Sequence, residues 1–172
     1  MNIYFIIIVG VIVFNYLLSF LVRTLNIRAL DPKLPEEFAD TFDEDKYLKS
    51  QEYTKVNSKF AYLTSTFSLF VSFVFIFGIP QIGINPIYNS IDQYIRIYGY
   101  GEILAGLIFF GFLTFITDII NLPFSLYKTF IIEEKFGFNK TTLKTFVLDK
   151  IKGIFLSMLI GGALLGAAIY LL

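Results

Sequence analysis

Four long windows without a charged residue constrain the fold of this 172-residue chain more than any other feature. They cover residues 3–22, 60–80, 103–117 and 153–172, and all of the 14 basic and 14 acidic residues lie between them. An uncharged apolar run of about 18 or more residues can cross the roughly 30 Å hydrocarbon core as a helix. The window that starts at residue 103 reaches this length only when it is extended past Asp118. The sequence therefore predicts a membrane protein and not a soluble domain.

The predicted fold class is all-α: a polytopic membrane helix bundle with four transmembrane helices and two cytoplasmic helical loops. We expect one N-terminal transmembrane domain over residues 1–172, with spans at about 3–22, 60–80, 103–122 and 151–172. The first span is interpreted as a retained helix because no Lys or Arg precedes it, as one would in a signal peptide. The chain stops at Leu172 at the end of an apolar run, which suggests a cut polypeptide.

The distribution of basic residues predicts the orientation of the bundle. The first loop carries seven Lys and Arg residues, the second carries one, Arg96, and the third carries five. Because cytoplasmic loops are enriched in Lys and Arg, we expect the first and third loops in the cytoplasm and both termini outside. One group of tyrosines would then lie at the outer interface as an aromatic belt: Tyr4, Tyr94, Tyr98, Tyr100 and Tyr170.

The absence of two residue types excludes several kinds of site. The chain has no Cys and no His. Without them the usual zinc ligands are missing, and neither a thiolate nucleophile nor a Ser-His pair is possible. The net charge is zero and the basic residues form no continuous stripe, so nucleic acid is not an expected partner.

Polar residues at helical spacing mark one face of three spans, and Asp118 is the one carboxylate within a span. The three stripes are Asn15, Ser19 and Arg23; Thr64, Ser65, Ser68 and Ser72; and Thr114, Thr117, Asp118 and Asn121. Such stripes are typical either of interhelical hydrogen bonds or of a shared wet interior, and both interpretations stay open. An acid inside a span is a functional candidate by default, although Asp118 could instead reach the interface and pair with Lys128.

The first loop is predicted to be helical. Thr41 and Glu44 have the spacing of a capping box, and Asp43 and Asp45 stand where the positive end of a helix dipole favours acids. No helix breaker separates this start from the second span, so we expect one long helix that continues into the membrane.

In the third loop, Pro123 is expected to bend or end the third span and Gly137 to end a helix in the left-handed conformation. Asn139 is expected to cap the helix that becomes the fourth span. The phenylalanines at 130, 136 and 138 are too apolar for a free loop, so something should cover them. Glu133 and Glu134 point in different directions on a helix, which favours ion pairing over a shared acid/base or metal site.

These two loops carry a resemblance to a known family. The strings Tyr47-Leu-Lys-Ser-Gln-Glu-Tyr53 and Leu122-Pro-Phe, followed by Ile132-Glu-Glu-Lys-Phe-Gly-Phe-Asn-Lys-Thr141, resemble the N-terminal membrane region of the CAAX prenyl protease 1 family. Members of this family are integral-membrane zinc metalloendopeptidases. The resemblance runs from about residue 35 to the C-terminus, and the string that starts at Glu133 is its most specific part.

The resemblance implies a function for a larger protein. In the family an HExxH zinc motif lies on a later membrane helix, the helices enclose a water-filled chamber, and isoprenylated proteins are cleaved. This chain would form part of the chamber wall, with no catalytic residue and no metal ligand of its own; zinc belongs to the full-length protein. The implied partners are the lipid bilayer, the missing C-terminal catalytic part and a peptide or prenylated protein substrate.

The candidate chamber or domain-interface residues share a position at or beyond the inner end of the third span. They are Asp118, Asn121, Glu133, Glu134, Phe136, Phe138 and Asn139. The expected location is the cell membrane in a prokaryote or the endoplasmic reticulum membrane in a eukaryote.

Two other functions remain as alternatives. The chain could be a transporter-like bundle in which Asp118 carries a proton or cation. It could also be a non-catalytic assembly protein that uses the GxxxG pair Gly162 and Gly166 as a helix-packing face. An HExxH motif in the reading frame past Leu172 would favour the protease, and a stop codon there would favour an alternative.

Overall fold

The computed structural model of the chain describes residues 2–35, 37, 40 and 43–171, and these residues are almost entirely helical. The α-helices are α1 (Ile3–Arg28), α2 (Glu44–Phe77), α3 (Ile87–Arg96), α4 (Glu102–Tyr127), α5 (Leu143–Leu156) and α6 (Gly162–Leu171). A π-helical segment, Lys128–Glu133, extends α4, and a second, Ser157–Gly161, joins α5 to α6. A short 3-10 helix, Pro80–Ile82, lies between α2 and α3. No β-strand occurs in the described ranges.

Four of these helices are long and apolar enough to cross a membrane. Within the part of the chain that the structure describes they are Ile3–Arg28, Glu44–Phe77, Glu102–Glu133 and Leu143–Leu171. The predicted fold class, an all-α bundle with four membrane helices, is therefore confirmed. The chain divides into two compact units, Met1–Phe73 and Val74–Leu172.

The second helix, α2, is one unbroken element of 34 residues, or about 51 Å at 1.5 Å per residue. The predicted continuous helix is confirmed. The Asp43 carboxylate accepts a hydrogen bond of 3.0 Å from the backbone N–H of Lys46 and so caps the helix start. Glu44 and Asp45 occupy the first turn, where the helix dipole stabilises negative charge. Thr41, the other half of the predicted capping box, lies outside the described residues.

In the first unit, α1 and α2 are joined by hydrogen bonds between polar side chains. Arg23 is the member of the predicted α1 stripe that crosses to α2, and it donates from Nη1 to the Ala61 carbonyl at 2.6 Å and to Ser65 Oγ at 3.2 Å. Two pairs of hydroxyl groups also form hydrogen bonds between these helices: Tyr16 with Thr66 at 2.9 Å, and Thr24 with Tyr62 at 2.6 Å. These contacts are the interhelical hydrogen bonds that hold membrane helices together.

In the second unit, α4 and α6 approach closely through glycine. A Cβ built on Gly106 would lie only 2.7 Å from Cδ1 of Ile169. A Cβ on Gly166 would make an ordinary contact of 3.9 Å with Leu107. One member of the GxxxG pair thus packs against a helix of the same unit, as small residues do in membrane bundles.

The turn that follows α2 depends on one glycine. Gly78 has φ +69°, and a side chain there would collide with the Ile84 carbonyl oxygen. Beyond the turn, the Tyr88 ring of α3 packs against Phe75 at 5.4 Å and Phe109 at 6.5 Å between ring centroids. These contacts place α3 beside the first half of α4.

Pro123 does not end the third span, so that part of the prediction is wrong. It lies inside α4, which continues to Tyr127 and then into the π-helical segment. Proline cannot donate to the carbonyl four residues earlier, that of Ile119, and the side chains nearby bond to other carbonyls. Asn121 Nδ2 donates to the Thr117 carbonyl at 2.9 Å, and Ser125 Oγ donates to the Asn121 carbonyl at 3.2 Å.

Candidate functional site

A groove of about 460 Å³ lies between α4 and the last span, and Asp118 is the one ionisable residue that lines it. The α4 side contributes Leu107, Ile108, Phe110, Gly111, Thr114, Phe115 and Asp118; the opposite side contributes Ile154, Ser157, Met158, Gly161, Gly162 and Leu165. Gly111, Thr114 and Asp118 share one face of α4 because they are separated by three and four residues. The α4 stripe predicted from sequence therefore borders a real groove at two of its positions.

The Asp118 side chain is half-buried and makes no hydrogen bond or ion pair with another described residue. The considered ion pair with Lys128 is absent. Lys128 lies ten residues further along, about 15 Å down the helix axis at 1.5 Å per residue. The carboxylate is consequently available to whatever enters the groove.

The groove is open because its borders carry small residues. Added Cβ atoms on Gly111, Gly161 and Gly162 would meet nothing within 4 Å. The π-helical segment Ser157–Gly161 supplies three of the lining residues, and π-helical turns are frequent at functional sites. The Thr114 hydroxyl donates to the Phe110 carbonyl at 2.8 Å, which leaves its oxygen lone pairs able to accept.

The predicted residues from Glu133 onward lie at the end of the π-helical segment that extends α4, where they form a capped helix terminus. They are Glu133, Glu134, Phe136, Phe138 and Asn139. Gly137 has φ +71°, and its N–H donates to the Glu134 carbonyl at 2.9 Å. The Glu133 carbonyl accepts from Phe138 N–H at 2.8 Å. The left-handed helix end predicted at Gly137 is confirmed. Asn121 turns its amide to its own helix, as described above.

Asn139 does not cap the last span, so this prediction is wrong. Thr142 is the cap of α5, and its Oγ1 accepts from Thr145 N–H at 3.2 Å. The Asn139 amide is engaged elsewhere: Nδ2 donates to Glu134 Oε2 at 2.9 Å, and Oδ1 accepts from Thr141 N–H at 2.7 Å. Glu134 is thus held by an amide and not by a basic side chain. Roles for these residues at a chamber or domain interface stay predictions.

The phenylalanines of the third loop are covered to different degrees. Phe136 is only 4% exposed, and Phe130 packs against Phe146 with ring centroids 5.6 Å apart. Phe138 remains 54% exposed. The expectation that something covers these rings is confirmed for Phe130 and Phe136 within this chain.

A second groove, of about 510 Å³, lies between α3 and α4 and was not expected from the sequence. Its lining is Ser90, Ile91, Tyr94, Ile95, Tyr98, Tyr100, Ile108 and Phe112. The spacing of Ile91 and Ile95 on the amphipathic α3 is the sequence signal that could have indicated it.

Tyrosine hydroxyls and one ion pair stand near this second groove. The hydroxyls of Tyr94 and Tyr98 are 2.8 Å apart, and this hydrogen bond raises the pKa of Tyr98. Arg96 Nε donates to Asp92 Oδ2 at 2.8 Å, and that hydrogen bond raises the pKa of the Arg96 guanidinium. Both groups lie outside the membrane-spanning helices.

The residues of this chain do not fit a zinc ion. Among the described residues no three His, Cys, Asp or Glu side chains lie close enough together to hold a metal. The whole sequence contains neither His nor Cys, the ligands of nearly all structural and many catalytic zinc sites. Asp118 stands in its groove without a second carboxylate.

Comparisons with known proteins agree on one family. Residues 23–172 match the family model described as CAAX prenyl protease N-terminal, five membrane helices. The CAAX prenyl protease 1 of Saccharomyces cerevisiae is 32% identical over 139 residues, which cover 78% of this chain and 30% of that protein. The Arabidopsis thaliana homolog is 30% identical over 178 residues, which cover 95% of this chain and 39% of that protein.

A solved structure has the same fold. The crystal structure of S. mikatae Ste24p is similar with a TM-score of 0.78 and 27% identity, over 96% of this chain and 38% of that one. The helices define an integral membrane protein of the polytopic all-α class. Within that class, the chain belongs to the CAAX prenyl protease N-terminal family and corresponds to the N-terminal membrane region of such a protease. It spans less than two fifths of the length of each of these three proteins.

Proposed function

We propose that residues 1–172 form the N-terminal transmembrane domain of a zinc metalloendopeptidase and supply part of the wall of its water-filled chamber. The zinc site and the catalytic residues belong to the remainder of the protein. The observation that carries this proposal is the family match over residues 23–172, which includes α2, α4 and the last span. The substrate class that the relatives' name implies is a prenylated CAAX protein.

The groove at Asp118 supports a chamber-lining role for the α4 face. The groove contains the half-buried carboxylate of Asp118, which has no partner among the described residues. It also contains open space beside its lining glycines. A carboxylate within a membrane-spanning helix is costly unless water or a partner solvates it. A water-filled interior satisfies that requirement, whereas contact with lipid does not.

The first experiment tests the enzyme. The reading frame past Leu172 should encode an HExxH motif, and the full-length product should cleave a farnesylated CAAX peptide. A chelator should abolish cleavage, and zinc should restore it. A stop codon after Leu172, or cleavage that is insensitive to the chelator, would contradict the proposal.

The second experiment tests the chamber wall with a matched pair of residues on the last span. Ser157 lines the groove, and Phe155, two residues away, is 72% exposed and lines neither groove. In a full-length protein with its other cysteines replaced, Ser157→Cys should react with a charged, water-soluble methanethiosulfonate at least about tenfold faster than Phe155→Cys, because charged reagents do not enter lipid. Equal rates would place the groove outside the chamber.

A further inference from the structure

The groove at Asp118 has a composition suited to a particular kind of peptide side chain. One carboxylate stands among apolar and small residues, and the two hydroxyls of Thr114 and Ser157 are the other polar side chains in its lining. A groove of about 460 Å³ falls within the usual range of roughly 300–1,000 Å³ for small-molecule sites. It can hold one or two side chains of an extended peptide and is too small for a folded domain.

We propose that Asp118 is a specificity-determining residue that selects peptide segments in which a Lys or Arg is flanked by apolar residues. This inference rests on the proposed function, because it concerns the substrate of that protease. The basic side chain would reach the Asp118 carboxylate while its apolar neighbours contact Phe115, Met158 and Leu165.

The surroundings of the Asp118 carboxylate favour a cation. No basic residue of the described chain pairs with Asp118. Lys152 of α5 pairs instead with Asp149, with Nζ 3.9 Å from Oδ1. Attraction between opposite charges strengthens as the effective dielectric constant falls, so a half-buried acid favours a cation more than a surface acid does. An acidic peptide side chain would be repelled from the same position.

The opposite side of the groove is lined in part by Gly161 and Gly162, where an added Cβ would meet nothing within 4 Å. Gly162→Leu should therefore narrow the groove and lower kcat/KM for peptides of every charge, whereas loss of the carboxylate should lower it most for basic peptides.

The test uses the full-length enzyme and pairs of farnesylated peptides that differ only by Lys or norleucine at one position upstream of the cleavage site. At the position that meets the groove, the wild-type enzyme should prefer Lys by about fivefold in kcat/KM, mostly through KM, which matches the upper end for exposed ion pairs. Asp118→Asn should abolish this preference, so that the ratio of kcat/KM between the Lys and norleucine peptides falls to about one. Asp149→Asn, the same chemical change outside the groove, should keep the preference. Asp118→Lys should reverse it, so that the norleucine peptide is cleaved with the higher kcat/KM.

Three results would overturn the inference. The first is that Asp118→Asn retains the full preference for Lys, so that some other group recognises the charge. The second is a thermal midpoint lowered by several degrees in Asp118→Asn, which would identify Asp118 as half of a structural ion pair with the rest of the protein. The third is a wild-type enzyme that cleaves both peptides of every pair equally. Absence of cleavage with any peptide would instead contradict the proposed function.

Discussion

At the residue scale, the predictions that held concern groups whose behaviour depends on their own chemistry. Gly137 takes the left-handed conformation because its missing Cβ acts locally, and Asp43 stands at the start of α2 as predicted, where its short carboxylate also caps the helix. The prediction for Asn139 failed because two residues competed for one role, and Thr142 lies closer to the first turn of α5. Sequence alone does not rank such competitors, since the outcome depends on the path of the loop.

Gly106 permits the close approach of α4 and α6, and its replacement tests that contact. Gly106→Val should destabilise the purified protein by about 1 kcal/mol, because the end of the Ile169 side chain would have to move away from the added methyl groups. The measurement is the thermal unfolding midpoint in detergent. Gly111→Val is the control, since a Cβ at Gly111 meets nothing within 4 Å. Equal midpoints for the two variants would show that this contact does not stabilise the bundle.

The Tyr94–Tyr98 hydrogen bond predicts a titration effect of known sign. It raises the pKa of Tyr98, so its contribution to stability is present below the ordinary tyrosine pKa of about 10 and is lost as the pH rises through the higher folded value. Tyr94→Phe should lower the pKa of Tyr98, measured by carbon-13 NMR of labelled tyrosine. Tyr170→Phe should leave it unchanged. A Tyr98 pKa that does not fall in Tyr94→Phe would exclude this hydrogen bond as the cause.

At the element scale, the number and type of helices could be predicted because charge is excluded from the hydrocarbon core. Hydropathy alone does not give their ends. The second uncharged window starts at residue 60, whereas α2 begins at Glu44, and it was the acidic residues at 43–45 that predicted this earlier start. Pro123 likewise lies within α4, where a proline removes one backbone hydrogen bond without ending the helix. Hydropathy marks the membrane and says little about helix termini.

The seven-one-five distribution of basic residues in the loops predicts the topology, and the absence of Cys makes it simple to test. In sealed vesicles of known orientation, Asn89→Cys should react with a membrane-impermeant maleimide from the outer side, and Ser50→Cys only after the vesicles are opened. Asn89 stands on α3 and Ser50 on α2, and both side chains are exposed. Labelling of Ser50→Cys from the outer side would reverse the assignment.

At the scale of the whole molecule, the family could be recognised from two loop strings, but the groove at Asp118 could not be predicted. Its shape depends on how closely α4 and the last span approach, and contacts between them such as that of Gly106 with Ile169 join residues far apart in sequence. The polar stripe predicted which face of α4 would carry Asp118 and Thr114. It did not indicate that the facing surface would be glycine and a π-helical turn.

The proposal that the zinc site belongs to the rest of the protein predicts a difference in metal content between the isolated chain and the full-length protein. The isolated 172-residue chain should retain no stoichiometric zinc after washing with a chelator and should cleave no peptide, because it has no His or Cys and no three acidic side chains meet among the described residues. Carboxylates alone are poor competitors for zinc against imidazole and thiolate ligands. The full-length protein, washed in the same way, is the matched control and should retain about one zinc per chain if it carries the HExxH motif. Atomic emission measures both. One tightly bound zinc in the isolated chain would mean that this region itself supplies ligands, and the chamber-wall assignment would then have to give way to a metal site.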